Sequence, residues 1–252
     1  MAIAQRDVPA GTMADNLSDN VIPLRDRLIL ALDVESAAEA RSVVATLGET
    51  VNFYKVGLGL QFRGGIELAK ELKRQGKRVF LDTKIWDIGA TTKAAVQSIA
   101  EMGMDFVTVH GNKATLKEAV AGRGNHSLKL FAITVLTSLD DDDLHQMGYT
   151  VGVEKMVMYQ TRAALEAGFD GVITSGLEAA MIRECAGPKL IIVTPGVRSA
   201  GVGKDDQKRV VTPEGAIKAG ADYIVMGRQI LRAASRHDEA RRVLDAIEGA
   251  LG

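Results

Sequence analysis

The sequence predicts an α/β protein folded as a single (β/α)8 barrel. Eight short apolar runs rich in Val, Ile and Leu recur along the 252 residues, and segments with helical spacing lie between them. The runs show no clean alternation of polar and apolar residues, which is typical of parallel strands buried under crossover helices. Eight such strand and helix units in about 225 residues are typical of a closed barrel.

The order of these units follows from the positions of the apolar runs and the helical spacing. We expect strands at 28–32, 53–56, 79–81, 106–109, 130–136, 171–174, 190–193 and 223–226. We expect helices at 37–47, 66–75, 92–102, 153–167 and 177–185.

A doubly wound open sheet is the alternative architecture, but its usual nucleotide motifs are incomplete. Gly57 and Gly59 lack the third glycine of a dinucleotide fingerprint. The segment around Gly203 and Lys204 lacks the first glycine and the hydroxyl residue of a P-loop. Neither nucleotide motif is therefore present.

The first twenty residues mix Ala, Gly, Asp, Asn and Ser without an apolar core of signal-peptide length. We predict a disordered or loosely packed tail at 1–24, followed by one barrel domain at 25–252. No run approaches the roughly 18 apolar residues that cross a bilayer, so no membrane association is expected. Cys185 is the only cysteine, which excludes an internal disulfide and fits a cytoplasmic location. We expect its thiol to be buried.

The nearly equal numbers of basic and acidic residues give the protein no overall positive potential that would attract a polyanion. There are 31 basic and 32 acidic residues, and the formal net charge is -1. Nucleic acid and anionic membrane surfaces are therefore not expected partners, and any anion site must be local. No His-x-x-x-His or Cys-x-x-Cys spacing occurs, so we expect no protein-bound metal and no cofactor.

The stretch at 82–91, DTKIWDIGAT, is the most informative part of the chain. Side chains two apart on a strand share a face, so Asp82 and Lys84 should project together, with Asp87 just beyond the strand. A structural ion pair needs only one partner for Lys84. A lysine between two carboxylates keeps its proton, and the surplus negative charge then requires a substrate or a metal.

Polar residues follow most of the predicted strands, where barrels of this type carry their chemistry. Lys55 interrupts an apolar strand and needs a buried partner or a ligand. His110 is expected in a supporting or capping role, Ser175 in a turn, and Asp33 either in the site or as a helix cap. The candidates at the strand ends are Asp33, Lys55, Asp82, Lys84, His110, Thr137, Ser138, Gly227 and Arg228.

The connections after the seventh and eighth strands predict a phosphate site. The segment 194–209 is long, polar and rich in glycine, and the eighth strand ends in Gly227 and Arg228. Loops at these two places form the usual phosphate cradle of the barrel, and a guanidinium beside backbone N–H groups suits a phosphate. The acidic run at 140–143 lacks the alternating ligands of a metal loop, and we expect a solvated helix start there.

Seven motifs between about residues 28 and 230 resemble the orotidine 5′-phosphate decarboxylase family, which forms uridine 5′-monophosphate in the last step of pyrimidine biosynthesis. They are LALD at 30–33, YKVG at 54–57, DTKIWDIGAT at 82–91, LTS at 136–138, TPGVR at 194–198, DQKR at 206–209 and ADYIVMGR at 221–228. The chain departs from the family at Trp86, Gly89 and Ala90, where His, Pro and Asn are common. That departure could alter the stiffness of the loop.

The resemblance implies a role for each matched residue. Lys84 would protonate C6 of the pyrimidine while Asp82 lies near the departing carboxylate. Asp87 and Thr91 would enter the site of a second subunit, which implies a homodimer. Residues that hold the substrate, orotidine 5′-phosphate, would be Asp33 and Lys55 at the ribose, Thr137 at the pyrimidine, and Arg198, Gln207, Gly227 and Arg228 at or beside the phosphate.

Two other functions remain open at this point. A sugar-phosphate decarboxylase or aldolase-like lyase of the same superfamily shares the Asp-x-Lys strand but uses magnesium. Such relatives carry an acidic residue where this chain has Lys55. A silent phosphate-binding barrel would need Arg228 but would have little use for Lys84 beside two carboxylates.

Overall fold

The computed structural model describes residues 22–199 and 209–252. The predicted N-terminal tail lies outside the described residues except for 22–24. Residues 200–208, which include Gln207, also lie outside them. Among the described residues, no helix is long and apolar enough to cross a membrane.

Eight parallel strands close into a barrel in sequence order. The strand β1 pairs with β2 on one side and with β8 on the other, where Leu30 lies opposite Met226. This closure confirms the predicted barrel and excludes the open sheet. The strands are β1 Leu28–Ala31, β2 Phe53–Gly57, β3 Arg78–Ile85, β4 Phe106–Val109, β5 Lys129–Ile133, β6 Gly171–Ile173, β7 Ile191–Thr194 and β8 Tyr223–Met226.

Helices cover the outer face of the barrel between the strands. An irregular turn at Gln61–Gly65 joins two of them, and a 3-10 turn at Gly187–Lys189 precedes β7. The helices are α1 Leu24–Arg27, α2 Ala37–Leu47, α3 Leu58–Leu60, α4 Ile66–Arg74, α5 Gly89–Glu101, α6 Lys113–Arg123, α7 Asp141–Gln146, α8 Val153–Ala167, α9 Ala179–Ala186, α10 Pro213–Lys218, α11 Arg228–Leu231 and α12 Arg236–Leu251.

The predicted boundaries of α2 and α8 match the structure residue for residue. The strand β3 extends to Ile85, beyond its predicted end at 81, because its polar residues continue the strand into the site. The acidic run begins α7 as expected: Asp140 caps the helix and forms a reciprocal capping box with Asp143. The expectation of a buried thiol was wrong, because Cys185 is exposed on α9.

An aromatic layer fills the middle of the barrel. The ring of Phe106 lies 4.8 Å from that of Phe53, 4.4 Å from that of Phe131 and 5.3 Å from that of Tyr223. Below these rings, the guanidinium of Arg78 stacks 4.2 Å from the centre of Phe53 and closes the amino-terminal end. Functional side chains can therefore gather only at the other end of the barrel.

Successive inward-facing positions of the strands step from this aromatic layer to the site. Residues two apart on a strand share a face, so Lys55 follows Phe53, Asp82 follows Phe80, and Thr108 follows Phe106. On each of these three neighbouring strands, the inward-facing residue is therefore aromatic at one position and polar at the next inward-facing position. The aromatic layer forms the floor of the site and excludes water from beneath it.

Candidate active site

Four charged side chains of alternating sign meet at the carboxyl ends of β1, β2 and β3. Asp82 Oδ2 lies 2.8 Å from the Nζ atom of Lys84 and 3.2 Å from that of Lys55. The same Lys55 Nζ lies 3.5 Å from Asp33 Oδ1. Gly57 permits this approach, because a Cβ atom there would lie 3.1 Å from Lys55 Nζ. We call Asp33, Lys55, Asp82 and Lys84 the charge array.

The charge array contains a second lysine beside Asp82. Within this chain, the lysine that lies between two carboxylates is Lys55, between Asp33 and Asp82. The prediction that Lys84 lies between Asp82 and Asp87 stays a prediction, because the resemblance assigns Asp87 to a second subunit. Among the described residues of the chain, Lys84 pairs only with Asp82. The side chain of Lys84 is 40% exposed, whereas that of Asp82 is 11% exposed. The ammonium of Lys84 is thus anchored at one side and open to the cavity at the other.

The backbone of β3 is distorted at Lys84. Its φ angle is +52°, the one positive φ of a non-glycine residue among the described residues, at a cost of about 1 kcal/mol. Leu81 pairs with Val107 and Ile85 with Val109, so β3 carries three residues opposite the single residue Thr108. This bulge brings the Lys84 ammonium back onto Asp82.

The ionisation of the charge array follows from its contacts. Burial opposes the charge of Asp82, but the charges of Lys55 and Lys84 and the hydrogen bonds from Lys84 and Thr108 outweigh it, so the pKa of Asp82 is lowered. Burial likewise opposes the charge of Lys55, but attraction to Asp82 and Asp33 outweighs it and raises the Lys55 pKa. Both groups are therefore charged at neutral pH.

One cavity of about 320 Å³ joins the charge array to the loops after β5, β7 and β8. Its walls are partly apolar, with Phe80, Ile133 and Val225 among them. Eight of the eleven residues selected from the sequence line this cavity. They are Asp33, Lys55, Asp82, Lys84, Thr137, Arg198, Gly227 and Arg228.

Gly227, Arg198 and Arg228 line the side of the cavity opposite β3, the strand that carries Lys84. A Cβ atom at Gly227 would lie 3.2 Å from that of Ala31 and 3.4 Å from Asp33 Oδ2, so glycine keeps this wall open. Arg198 is buried and donates a hydrogen bond to the carbonyl of Val197. Arg228 begins α11 and is half-buried at the cavity wall. Two guanidinium groups near one cavity suit an anionic group.

The chain on both sides of 200–208 is fixed to the barrel. Ser199 donates its N–H to Gln229 Oε1 at 3.0 Å and accepts a hydrogen bond from Gln229 Nε2 at 2.7 Å. On the other side, Arg209 pairs with buried Glu178 at 2.7 Å and donates to the carbonyl of Leu136, next to Thr137. Ser199 and Arg209 are thereby tied to the connections after β8, β5 and β6.

Asp87 and Thr91 lie outside the cavity of their own chain. Both are exposed, and Asp87 accepts a hydrogen bond from the N–H of Ile88. Trp86 and Ile88 beside them are 68% and 71% exposed. His110 packs edge-on against Trp86 at 4.9 Å, which fits the expected supporting role.

Two alternative roles considered for strand-end residues are decided by hydrogen bonds. Ser36 caps α2 by accepting from the N–H of Glu39, so Asp33 is not the cap and is available to Lys55. Ser175 accepts from the N–H of Leu177 and closes a turn.

Sequence reasoning missed three residues that support the site, namely Thr108, Glu178 and Gln229. Thr108 bonds to Asp82 and to the N–H of Lys84. Thr108 lies two residues before His110, so both side chains point to the same face of the strand. This two-residue spacing is the sequence signal that could have identified Thr108. Nothing in the sequence marks Glu178 or Gln229, because their partners lie on distant loops.

Among residues 22–199 and 209–252, no group of three acidic, histidine or cysteine side chains is arranged to hold a metal ion. The acidic side chains of the charge array face ammonium groups instead.

Comparison with known proteins agrees with this geometry. The sequence model of the orotidine 5′-phosphate decarboxylase / HUMPS family matches residues 26–243. The chain belongs to this family.

Members of the orotidine 5′-phosphate decarboxylase / HUMPS family from bacteria are similar along most of their length. An orotidine 5′-phosphate decarboxylase of Nitrobacter winogradskyi is 49% identical over 90% of this chain and 95% of its own. One from Rhodopseudomonas palustris is 46% identical over 91% and 97%. The crystal structure of the Lactobacillus acidophilus orotidine 5′-phosphate decarboxylase has a TM-score of 0.77 at 32% identity, covering 88% of this chain and 99% of that one.

The charge array predicts a window of pH in which Lys55 stabilises the fold. Because the pKa of Asp82 is lowered in the folded state, the ionised carboxylate stabilises the fold above about pH 4. That stabilisation is lost as the pH falls through the folded-state pKa. Because the pKa of Lys55 is raised in the folded state, the charged ammonium stabilises the fold below about pH 10. That stabilisation is lost as the pH rises through the folded-state pKa.

Replacing Lys55 with methionine should therefore lower the free energy of unfolding by about 2 kcal/mol at pH 7, because a buried carboxylate loses a partner. The difference from wild type should be constant from about pH 5 to pH 9 and shrink on either side. Urea denaturation across this range measures it. The control Lys70→Met removes a solvent-exposed pair with Glu67 and should leave the free energy of unfolding nearly unchanged at every pH. A pH-independent difference would contradict this account of the charge array.

Proposed function

We propose that this protein decarboxylates orotidine 5′-phosphate to uridine 5′-monophosphate and carbon dioxide, the last step of pyrimidine biosynthesis. Membership of the family and the names of its similar relatives support the reaction. The observation that carries the proposal is the placement of the Asp82 and Lys84 pair in the same cavity as Arg228. That cavity offers an acid at one side and an anion site at the other.

In the proposed reaction, the bond between C6 and the carboxylate breaks, and its electron pair remains on C6. Lys84 then transfers a proton from its ammonium to C6, and carbon dioxide leaves. Asp82, held ionised by its two lysines, lies near the departing carboxylate and repels it. The ammonium stabilises charge that develops only in the transition state, so the reaction needs neither a metal nor an organic cofactor as electron sink.

Repulsion by Asp82 cannot supply the whole acceleration. Two unit charges about 4 Å apart at an effective dielectric constant near 20 interact by roughly 4 kcal/mol, which is about a thousandfold in rate. The remainder is assigned to binding energy at distant parts of the substrate. Arg198, Gln207, Gly227 and Arg228 would hold the phosphate, Asp33 and Lys55 the ribose hydroxyls, and Thr137 the pyrimidine.

A magnesium-dependent lyase is disfavoured by the position of Lys55. Its ammonium occupies the space between Asp33 and Asp82, where it would repel a divalent cation from both carboxylates. The single cysteine and the proposed place in nucleotide synthesis support a cytoplasmic location.

Loss of the orotate absorbance on mixing the protein with orotidine 5′-phosphate and a metal chelator tests the activity. Lys84→Ala should lower turnover by at least about a thousandfold, because it removes the proton donor, while uridine 5′-monophosphate still binds. The control Lys70→Ala should keep wild-type turnover, because Lys70 pairs with Glu67 and not with a member of the charge array. Substantial turnover by Lys84→Ala would remove Lys84 from its role.

The phosphate should raise turnover as well as affinity. We expect orotidine, which lacks the phosphate, to show a kcat at least about a hundredfold below that of orotidine 5′-phosphate, since the distant binding energy is lost. Arg228→Ala should reduce the difference between the two substrates and leave the slow reaction of orotidine unchanged. Equal kcat values for both substrates with the wild-type protein would refute this role of the phosphate.

We further propose a homodimer in which Asp87 and Thr91 of one subunit complete the site of the other. Both residues are exposed and sit beside the exposed Trp86 and Ile88, an apolar patch of the kind that marks an interface. A cavity of about 370 Å³ also reaches Lys55, Asp82 and Lys84 from the side of α3, where Leu58 and Arg63 line it. This second opening offers a path for side chains from a partner.

Mixed dimers test the shared site. Asp87→Ala and Lys84→Ala should each be inactive alone, but a re-equilibrated equal mixture should recover about one quarter of wild-type activity. Half of the dimers are then mixed, and one of their two sites carries both native residues. Emission of Trp86, the only tryptophan, should shift on dilution as the interface opens. No recovery in a mixture shown to exchange subunits would contradict the shared site.

A further inference from the structure

Thr108 lies on β4, opposite the distortion in β3. It is completely buried and is not among the residues that line the 320 Å³ cavity. Its hydroxyl contacts two parts of the proposed machinery. It lies 2.9 Å from Asp82 Oδ1 and 2.9 Å from the backbone nitrogen of Lys84. These two contacts connect the carboxylate to the residue that carries the ammonium.

The chemistry of the groups fixes the direction of both hydrogen bonds. A backbone N–H can only donate, so the Thr108 oxygen accepts from Lys84. An ionised carboxylate can only accept, so the single hydroxyl hydrogen of Thr108 goes to Asp82. The Thr108 hydroxyl therefore donates to Asp82 and accepts from Lys84 at the same time. Valine, which has nearly the same shape, could make neither bond.

The bulge in β3 explains why a side chain makes these bonds. Between the pairs Leu81 with Val107 and Ile85 with Val109, the regular hydrogen-bond ladder is interrupted. The N–H of Lys84 falls in this interval and bonds to the Thr108 hydroxyl instead of to a strand carbonyl. The positive φ of Lys84 occurs at the same place. A conformation of this kind persists only where the surroundings hold it.

We propose that Thr108 is a positioning residue that holds Lys84 in its unusual backbone conformation and Asp82 in register with it. The proposal rests on the proposed function only for its catalytic consequence. Asp82 and Lys84 are joined directly through Oδ2 and Nζ at 2.8 Å, and a second time through the Thr108 hydroxyl. The two links close a ring that sets where the ammonium stands above the cavity floor.

Kinetics of Thr108→Val with orotidine 5′-phosphate tests the proposal. We expect kcat to fall by about 10- to 100-fold, because a small displacement of a reacting group has an effect of that size, with KM changed by less than about threefold. Thr108→Ser restores the hydroxyl and should return kcat to within about threefold of wild type. The control Thr161→Val removes a buried hydroxyl bonded to a helix carbonyl of Val157 and should leave kcat unchanged.

Wild-type kcat in folded Thr108→Val would overturn the proposal, as would a Thr108→Ser variant as slow as Thr108→Val. If Thr108→Val does not fold, Thr108→Ala gives the same comparison, because it also removes the hydroxyl. If the wild-type protein shows no decarboxylation, the proposed function fails, and crystal structures of wild type and Thr108→Val decide the positioning role. A Lys84 backbone that leaves the positive φ region in the variant supports it, and an unchanged Lys84 overturns it.

Discussion

The contact of one carboxylate with two ammonium groups governs the arrangement of the site. Asp82 would be costly to bury alone, because an unpaired charge in a protein interior loses several kcal/mol of hydration. Lys55 and Lys84 offset that cost, and Asp33 in turn balances Lys55. The array therefore pairs two carboxylates with two ammonium groups. Its outer member, Lys84, faces the cavity.

The barrel produces this contact through the period of its strands. Aromatic side chains occupy one inward-facing layer, and the next layer carries Lys55, Asp82 and Thr108. The rings keep water from the lower side of the array, which strengthens the attraction between its charges. The loops after β7 and β8 then place Arg198 and Arg228 around the same cavity. The barrel therefore places the charge array and the two guanidinium groups around one cavity.

The fold and the strand-end residues could be predicted from sequence because both depend on local patterns. Apolar runs predicted the eight strands, and polar residues within or just after them predicted Asp33, Lys55 and Arg228. The contact of Lys55 with Asp82 and the distortion at Lys84 could not be predicted, since both depend on the register of β3 with its neighbours. Thr108 also escaped notice, because threonine is an ordinary strand residue and its hydroxyl gains meaning only from its neighbours.

A crystal structure of the protein with uridine 5′-monophosphate would show where the pyrimidine lies relative to Lys84. We expect Lys84 Nζ within about 3.5 Å of C6, still paired with Asp82 Oδ2, and the phosphate bound at Arg228. A complex in which C6 lies far from Lys84, or in which Lys84 has turned away from Asp82, would contradict this expectation.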